Sequence, residues 1–425
     1  MDPVRTAAAL FDSPSRSFPV VLWDGTPLPP GRDEGVRGRV ALRHPRALEA
    51  LLPPSEHRLA EAFLDGDIDL EGDAIGLLEA AARWEGPRRT VSLVPPALAL
   101  LLRRAVARAG EGGFAGGPGR AHSLSRDRAT VQHHYDVSDD FYRLFLDEGM
   151  VYSCAFFPRG GETLEEAQRA KLELVCRKLA LAPGERLLDV GCGWGALLEH
   201  AALRHGATAV GITLSQNQLA HARGRLARLP APARASVLAA DYRTLRPDEP
   251  FHKVASIGMM EHVGRARLGE YFEAVHRLLA PGGLFLNHAI ADASGVATIP
   301  WASRAEGGFI DRYIFPDGDL VPVPLVAAAA ERAGFEVRDL ESLREHYAET
   351  LAAWLGRLEA RLSEAVALVG PRRARAFRLY LASSAAAFRL GRISVFQLLL
   401  ARRAGPEGHR GLPRSRAAWY APPLG

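Results

Sequence analysis

The chain of 425 residues is long enough for two or three domains, and its 48% hydrophobic and 24% charged residues exclude a disordered protein. The formal net charge of +4 at pH 7 is too small to indicate a nucleic-acid-binding protein. The charge is concentrated at one end, because residues 371–425 contain eleven arginines and one acidic residue, whereas the first 370 residues carry a net charge of −6.

The N-terminal part of the chain, residues 1–109, is predicted to form a small α+β domain. Short apolar runs at 20–23 and 38–42 indicate strands, and helical periodicity follows from Pro45 and again from Ala74. A short sheet covered by a few helices accounts for this pattern, and we treat the region as an accessory domain.

A glycine-rich stretch at 110–122 predicts a flexible linker. It follows a helix predicted over 97–109. The apolar stretch 91–109 around this helix is interrupted by Pro95-Pro96 and by Arg103-Arg104, and it is too short to span a membrane. The linker therefore separates the accessory domain from a second domain over 123–425.

The second domain alternates helices with short apolar strands, which predicts an α/β fold with a doubly wound parallel sheet. The predicted strands are 186–190, 208–213, 236–240, 254–257 and 283–288, and the predicted helices are 164–180, 196–204, 216–228 and 267–279. Ligands of such sheets bind at the carboxyl ends of the strands, so the loops after the strands are the candidate site. Farther on, arginine-rich helices are predicted over 371–403.

The first of these loops, Leu187–Gly195, is an apolar strand that ends in an acid and a glycine run. Its G-x-G-x-G spacing differs from that of dinucleotide-binding proteins, and by itself it fits a tight strand-to-helix turn as well as a nucleoside site. Asp189 is placed to accept a hydrogen bond from a ligand ammonium group, and Asp241, at the end of the third strand, is placed near an adenine edge.

Two further loops carry polar groups. Thr213–Gln218 offers uncharged hydroxyl and amide groups where an NAD-binding protein usually has an acid, although Ser215 also fits a helix cap. Glu261 and His262 follow the fourth strand. They are candidates for a buried residue that accepts or donates a proton in catalysis. The alternative is that an acid at the end of a strand caps the N-terminus of a helix.

Six motifs occur in order: His134–Asp147, Tyr152–Phe157, the glycine loop, Thr213–Gln218, Gly258–Gly264 and Tyr313–Gly318. Together they resemble the cyclopropane-fatty-acyl-phospholipid synthase family, enzymes dependent on S-adenosylmethionine and related to the mycolic acid cyclopropane synthases. The resemblance covers about 130–400, and residues 64–73 resemble only the longer bacterial members. The implied fold is a Rossmann-like class I methyltransferase sheet with helical insertions at the lipid site, beside the small α+β domain.

The resemblance implies transfer of a methylene group to a cis double bond of a phospholipid acyl chain. The alkene attacks the sulfonium methyl group, a base removes a proton from the new methyl group, and the ring closes. In the family a bound bicarbonate is this base. The residues that hold it correspond here to Cys154, Glu261, His288, Tyr347 and the backbone of Ile290.

The resemblance also implies which residues bind S-adenosylmethionine. They are Tyr152, Ser153, Leu187, Asp189, Gly191, Cys192, Gly193, Trp194, Gly195, Thr213, Leu214, Ser215, Gln218, Asp241, Tyr242 and Ile257. One departure is Ser384, which stands where the family commonly has cysteine. This serine argues against an obligatory thiol nucleophile at that position.

An aromatic cluster after the fifth strand is a candidate wall for the acyl chain, and an ordinary core cluster fits the same pattern. Its members are Trp301, Phe309, Tyr313 and Phe315. In the helices predicted over 371–403, arginines alternate with apolar residues, which fits a basic face on an anionic membrane as well as a solvated face.

The remaining features suggest a cytoplasmic protein peripherally associated with the inner face of the membrane. The three cysteines show no zinc-binding spacing, so no metal is expected, and no signal peptide or transmembrane segment is predicted. We hypothesise that the accessory domain docks onto the membrane or mediates homodimer formation. A sister methyltransferase that makes methyl- or methylene-branched chains, a small-molecule methyltransferase and a non-catalytic lipid-binding homologue are the alternatives.

Overall fold

The computed structural model describes residues 2–52, 55–84, 138–293, 308–405 and 412–420. It divides into two compact units. Unit 1 comprises Met1–Ala115, Ala297–Pro316 and Arg361–Leu390, and unit 2 comprises Gly116–Val296, Asp317–Ala360 and Gly391–Gly425. Unit 1 thus contains two later segments that the predicted domain boundaries do not include. The helix predicted over 97–109 and the linker 110–122 lie outside the described residues.

Unit 1 contains a four-stranded sheet in the order β2-β1-β3-β4. The strands are β1 Val20–Val21, β2 Pro27–Leu28, β3 Gly38–Leu42 and β4 Ile68–Gly72. The described helices are Pro3–Phe11, Ala47–Leu51, Glu56–Leu64, Ala74–Arg83, Phe309–Tyr313, Leu362–Val369 and Pro371–Arg389. The small α+β domain predicted from the N-terminal sequence is confirmed, since β3 has the predicted bounds and helices begin close to both predicted starts.

The basic helix Pro371–Arg389 packs within unit 1 through its arginines. Arg375 donates to the Phe63 carbonyl at 2.6 Å, and its guanidinium lies 4.3 Å from the centre of the Phe63 ring. Arg378 donates to Asp69 Oδ1 at 3.0 Å, and Arg372 pairs with Glu61 and Asp65. These three arginines therefore contribute to packing within unit 1. The two interpretations offered from sequence, a basic face on a membrane and a solvated face, did not include this role.

Unit 2 is built on a seven-stranded sheet in the order β10-β11-β9-β8-β5-β6-β7. The strands are β5 Arg186–Val190, β6 Thr208–Thr213, β7 Arg234–Ala239, β8 Phe251–Ile257, β9 Leu279–Asp292, β10 Phe335–Ser342 and β11 Ile393–Arg402. The first five correspond to the predicted strands and pair in parallel. The doubly wound methyltransferase sheet is confirmed.

The prediction of helix over 371–403 is wrong for its last part. The helix ends at Arg389, and residues 393–402 form β11, which runs antiparallel to both β9 and β10. The segment Ile393–Arg402 is rich in β-branched and long apolar residues and follows Gly391, which has a positive φ of 67°. A glycine with positive φ just after the last helical residue commonly ends a helix, so the chain leaves the helix here and continues as a strand.

Helices cover both faces of this sheet. They are Asp139–Tyr142, Leu164–Lys178, Ala196–His205, Gln216–Leu226, Leu268–Leu278, Val323–Arg332, Arg344–Ala360 and Ala417–Tyr420, with 3-10 turns at Met260–His262 and Arg265–Arg267. Four of them match the predicted helices to within a few residues. Among the described residues, no helix is both long enough and apolar enough to cross a bilayer.

Close packing of a helix on β6 depends on Gly211. A Cβ atom at this position would lie 2.5 Å from Leu198 Cδ1 and 2.7 Å from Cys192 Sγ. The helix that follows the glycine loop can therefore lie close against the sheet, which places the loop at the carboxyl ends of β5 and β6.

Candidate functional site

A pocket with a cavity volume of about 160 Å³ opens at the carboxyl ends of β5, β6 and β8 in unit 2. Most of the residues predicted to bind the cofactor line it. These are Tyr152, Ser153, Asp189, Gly191, Cys192, Gly193, Trp194, Thr213, Leu214, Gln218, Asp241, Tyr242 and Ile257. Parallel strands that end at one edge bring these distant segments together, as the order of elements predicted.

Three residues predicted to bind the cofactor do not line this pocket. Leu187 is fully buried inside β5. Gly195 is the N-cap of helix Ala196–His205 with φ 87°, and Ser215 caps helix Gln216–Leu226 by accepting from Gln218 N at 3.3 Å. Their positions are explained by strand packing and helix capping.

The glycine loop turns sharply because its three glycines adopt left-handed conformations. Gly191 has φ 81°, Gly193 has φ 54° and Gly195 has φ 87°, and a Cβ atom on Gly191 would lie 3.1 Å from Met259 Cγ. The backbone of this loop can thus come close to a ligand at the start of helix Ala196–His205, where unpaired backbone amides favour polar and anionic groups.

Two carboxylates of the pocket are in different electrostatic environments. Burial raises the pKa of Asp189 to about 7, and the nearby Lys171 ammonium group opposes this rise. Asp241 accepts from Arg243 N and Nε at 2.9 Å and from Nη2 at 2.6 Å. Arg243 lines the pocket and was not among the predicted site residues.

Glu261 and Ile290 are joined by a hydrogen bond. Glu261 lies in the 3-10 turn Met260–His262 after β8, and its Oε1 accepts from Ile290 N at 2.7 Å. Its Oε2 atom is buried and has no hydrogen-bond partner in the part of the chain that the structure describes. Burial raises the pKa of Glu261 to about 7. Near neutral pH this carboxyl group can therefore either hold or release a proton.

His288, in β9, is buried and held by a partner that sequence reasoning missed. Gln397 Nε2 in β11 lies 3.2 Å from His288 Nδ1, and with the amide donating, the ring proton is on Nε2. Burial lowers the pKa of His288 to about 3, so the ring is neutral. Within the described residues, His288 Nε2 is buried and has no hydrogen-bond partner.

Cys154 contacts the segment of unit 2 that leads into the helix containing Tyr347. Cys154 Sγ donates to the carbonyls of Ala155 at 3.1 Å and Leu343 at 3.7 Å, and burial raises the pKa of this thiol. Tyr347, in helix Arg344–Ala360, is buried, with its ring 6.2 Å from that of Trp354. The thiol therefore stays protonated and can only donate.

The aromatic residues predicted as an acyl-chain wall pack within unit 1. Phe309 lies 5.7 Å from the ring of Tyr313, whose hydroxyl donates to Glu61, and Phe315 lies 5.6 Å from Tyr380. They serve as packing residues here, and contact with a lipid stays a prediction. Trp301 lies outside the described residues.

Cys176, His200 and His205 come together although their spacing did not suggest it. Their ligand atoms lie within 4.8 Å of one another. Glu173 Oε2 bonds to both imidazoles, at 3.0 Å from His200 Nε2 and 3.1 Å from His205 Nε2. This carboxylate satisfies both rings without an ion.

Comparison with solved structures identifies the class of the fold and pocket. Mycolic acid cyclopropane synthase CmaA1, solved with S-adenosylhomocysteine and CTAB, is 40% identical, with a TM-score of 0.62 over 64% of this chain and 98% of that one. Coclaurine N-methyltransferase, at 21% identity and a TM-score of 0.55, shares the fold. The protein is an S-adenosylmethionine-dependent methyltransferase.

Sequence comparison identifies the family. The model of the mycolic acid cyclopropane synthetase family matches residues 122–398. A probable fatty acid methyltransferase of Pseudomonas putida is 39% identical over 94% of this chain and 95% of its own. Cyclopropane mycolic acid synthase MmaA2 of Mycobacterium tuberculosis is 39% identical over 64% of this chain and 96% of its own. The chain belongs to the mycolic acid cyclopropane synthetase family.

Proposed function

We propose that this enzyme transfers a methylene group from S-adenosylmethionine to the cis double bond of an unsaturated phospholipid acyl chain, giving a cyclopropane ring. The observation that carries the proposal is a pair of buried polar atoms, Glu261 Oε2 and His288 Nε2, which have no hydrogen-bond partner among the described residues. Buried polar atoms are normally paired, so an unpaired acceptor in the turn after β8 and an unpaired donor in the neighbouring β9 point to a polar ligand that they hold.

The pocket suits S-adenosylmethionine, which supplies an electrophilic methyl group on a sulfonium centre. Asp189 offers a carboxylate for the α-ammonium group of the cofactor, and Asp241 and Tyr242 lie at the end of β7, where the adenosine would bind. The glycine loop allows close backbone approach between them. The carboxylate, the loop and the aromatic face thus match the three parts of the cofactor.

The residues around Glu261 suit a bicarbonate ion, which when bound supplies the base for the proton that ring closure releases. The neutral His288 ring offers an N–H donor at Nε2. The Cys154 thiol already donates to the carbonyls of Ala155 and Leu343, so it would donate to the ion only by giving up these bonds. Glu261 can share a proton with an acidic oxyanion, because its pKa lies near neutrality. Ile290 holds the other carboxylate oxygen and so orients the group.

Burial of Glu261 and His288 would keep water away from the carbocation formed in the proposed reaction. Attack by the alkene leaves positive charge on a carbon atom, and water would trap such a cation. Glu261 and His288 are each less than a tenth exposed. The site can therefore offer a defined proton acceptor while excluding competing nucleophiles.

Methyl or methylene branching of the acyl chain is the second candidate, since a relative that matches almost the whole chain is a probable fatty acid methyltransferase. Both products would come from the same cation. Loss of a proton directly from the new methyl group closes the ring, loss of such a proton after a 1,2-hydride shift gives a methylene branch, and a saturated methyl branch also requires a reductant. We further propose that the enzyme works at the inner face of an anionic membrane, where its substrate resides. A non-catalytic lipid-binding role would leave the unpaired Glu261 and His288 atoms unexplained.

Expression in a host that supplies unsaturated phospholipids tests the proposal. We expect acyl chains heavier by one CH₂, and ring and branched products are distinguished by fragmentation and proton NMR. Cells carrying Glu261→Gln serve as the control and should show unmodified lipids. Unmodified acyl chains in cells carrying the active wild-type enzyme would contradict the proposal, whereas modification only of water-soluble amines would indicate a small-molecule methyltransferase.

A further inference from the structure

Lys171 is a buried cation in the cofactor pocket that the predicted site did not include. It lies on helix Leu164–Lys178, is 1% exposed and lines the pocket beside Asp189. An unpaired buried ammonium group is costly, so its surroundings should show what it serves. Only three of the 53 basic residues are lysines, which already makes the position unusual.

The ammonium group of Lys171 holds the pocket wall formed by residues 147–153. Lys171 Nζ donates to Ser153 Oγ at 3.1 Å. One turn earlier on the same helix, Gln168 Nε2 donates to the carbonyls of Ser153 at 2.9 Å and Val151 at 3.3 Å. Tyr152 and Ser153 are thus held by side chains of one helix.

The same wall is fixed from its other end by Asp147. Its carboxylate accepts from Gly149 N and Val151 N, both at 2.8 Å, and Arg225 donates to the Gly149 carbonyl at 2.8 Å. Asp147 also attracts Lys171 electrostatically. The wall therefore has one fixed geometry in which the Lys171 ammonium is enclosed.

Among the described residues, five titratable groups interact electrostatically with Lys171. Asp147 lies on the wall segment and Cys154 directly follows it, Asp189 lies in β5, Cys176 lies on the same helix as Lys171, and His288 lies in β9. His288 is neutral, because burial lowers its pKa. Both thiols are buried and protonated, because burial raises their pKa values. Asp147 and Asp189 are therefore the groups whose charge Lys171 balances.

We propose that Lys171 is a positioning residue of the cofactor site, which orients Ser153 and keeps Asp189 ionised so that it can accept the α-ammonium group of the cofactor. The electrostatic part follows from burial. Without a neighbouring cation, a fully buried carboxyl group would be protonated near neutral pH and could not bind an ammonium group as an anion. The proposal depends on the cofactor and is independent of the lipid substrate.

The test is the affinity for S-adenosylhomocysteine, measured by calorimetry between pH 6.5 and 9 without lipid. Lys171→Gln keeps a hydrogen-bond donor for Ser153 but removes the charge. At pH 7.5 we expect it to bind at least about tenfold more weakly than the wild type, and to recover affinity toward pH 9 as Asp189 ionises. Lys171→Arg should keep the wild-type pH midpoint.

Lys178→Gln is the matched control, because Lys178 is equally buried on the same helix but pairs with Asp339 and Glu341 outside the pocket. It should lower stability and leave the pH midpoint of binding unchanged. The proposal would be overturned if Lys171→Gln bound S-adenosylhomocysteine with the same pH midpoint as the wild type. It would also be overturned if Lys178→Gln shifted this midpoint as much as Lys171→Gln does. If Lys171→Gln does not fold, Asp189→Asn decides: its affinity should be low and independent of pH, and a wild-type pH profile would overturn the proposal.

Discussion

The carboxylate of Glu261 is tied to the backbone of Ile290 by a hydrogen bond of 2.7 Å from Ile290 N to Oε1. The bond joins the 3-10 turn after β8 to the end of β9, and it leaves the second oxygen buried without a partner. Ionising a carboxyl group held in this way costs free energy. The wild-type protein should therefore be less stable than a variant with a neutral side chain at position 261.

Glu261→Gln should therefore abolish turnover, leave S-adenosylhomocysteine affinity nearly unchanged, and stabilise the protein at alkaline pH. Burial raises the pKa of Glu261 from an ordinary value of 4.5 to about 7. As the pH rises between these two pKa values, Glu261 loses its proton in the unfolded chain but keeps it in the folded protein. The free energy of unfolding therefore decreases across this interval and does not decrease further above it. That shift corresponds to a cost of about 3 kcal/mol.

Urea unfolding at pH 5 and pH 8 measures this effect. The gain in unfolding free energy of Glu261→Gln over the wild type should be small at pH 5 and large at pH 8. Glu249→Gln, whose side chain is 78% exposed, controls for the loss of a charge. A gain of equal size at both pH values would show that Glu261 is not the buried titrating group described here.

Gln397→Leu should slow catalysis without weakening cofactor binding. The amide of Gln397 donates to His288 Nδ1 and so keeps the ring proton on Nε2. Without this donor both tautomers become accessible, and we expect kcat to fall by about tenfold to a hundredfold. Ser394→Ala, on the same strand but bonded to Ser342, is the control. Steady-state kinetics with full activity in Gln397→Leu would remove tautomer control from the mechanism.

Gly191→Ala should weaken cofactor binding by roughly tenfold. A side chain at φ 81° costs about 1–2 kcal/mol, and the added Cβ would also crowd Met259. Gly224→Ala is the matched control, because Gly224 lies inside helix Gln216–Leu226 with open space around it. It should leave affinity unchanged and stabilise the protein by up to about 1 kcal/mol. Equal calorimetric affinities for the two variants would contradict the close approach of the loop.

Arg378→Ala should destabilise unit 1. The side chain is only 11% exposed and binds Asp69 and the Leu70 carbonyl, and losing such bonds costs about 1–3 kcal/mol. Arg373→Ala removes an exposed arginine from the same helix and should have little effect on stability. Hydrogen exchange within helix Pro371–Arg389 resolves the two variants. If both leave protection unchanged but weaken vesicle binding equally, the arginines serve the membrane instead.

The strands that carry the cofactor pocket could be predicted from sequence, because each is an apolar run that ends in a glycine or a polar residue. Glu261 could be singled out as a candidate by its place after the fourth strand, but its role and that of His288 were implied only by resemblance, since a lone acid or histidine at a strand end fits several roles. The position of β11 could not be predicted. Its partners, β9 and β10, lie far away in the sequence, and a continuous apolar run does not distinguish a strand from a buried helix.

Two residues that sequence reasoning missed act through tertiary contacts. Gln397 is defined by its register opposite His288 in the antiparallel β9–β11 pair. Lys171 occupies a helical position that sequence patterns assign to solvent, and only the fold turns it toward Asp189. The contacts of Gln397 and Lys171 depend on which surfaces meet, and that information is not local. Arg243 is different, because it bonds to Asp241 only two residues away and was missed because no motif marks it.

The lipid product formed by the purified enzyme tests the central claim most directly. The enzyme is incubated with unsaturated phospholipid vesicles and S-adenosylmethionine carrying a fully deuterated methyl group, and the acyl chains are analysed by mass spectrometry and proton NMR. Our account predicts a saturated chain, one carbon longer in composition, that keeps two of the three methyl deuterium atoms in a cyclopropane ring. An unmodified chain, or a methyl- or methylene-branched product whether it keeps two or three deuterium atoms, would contradict it.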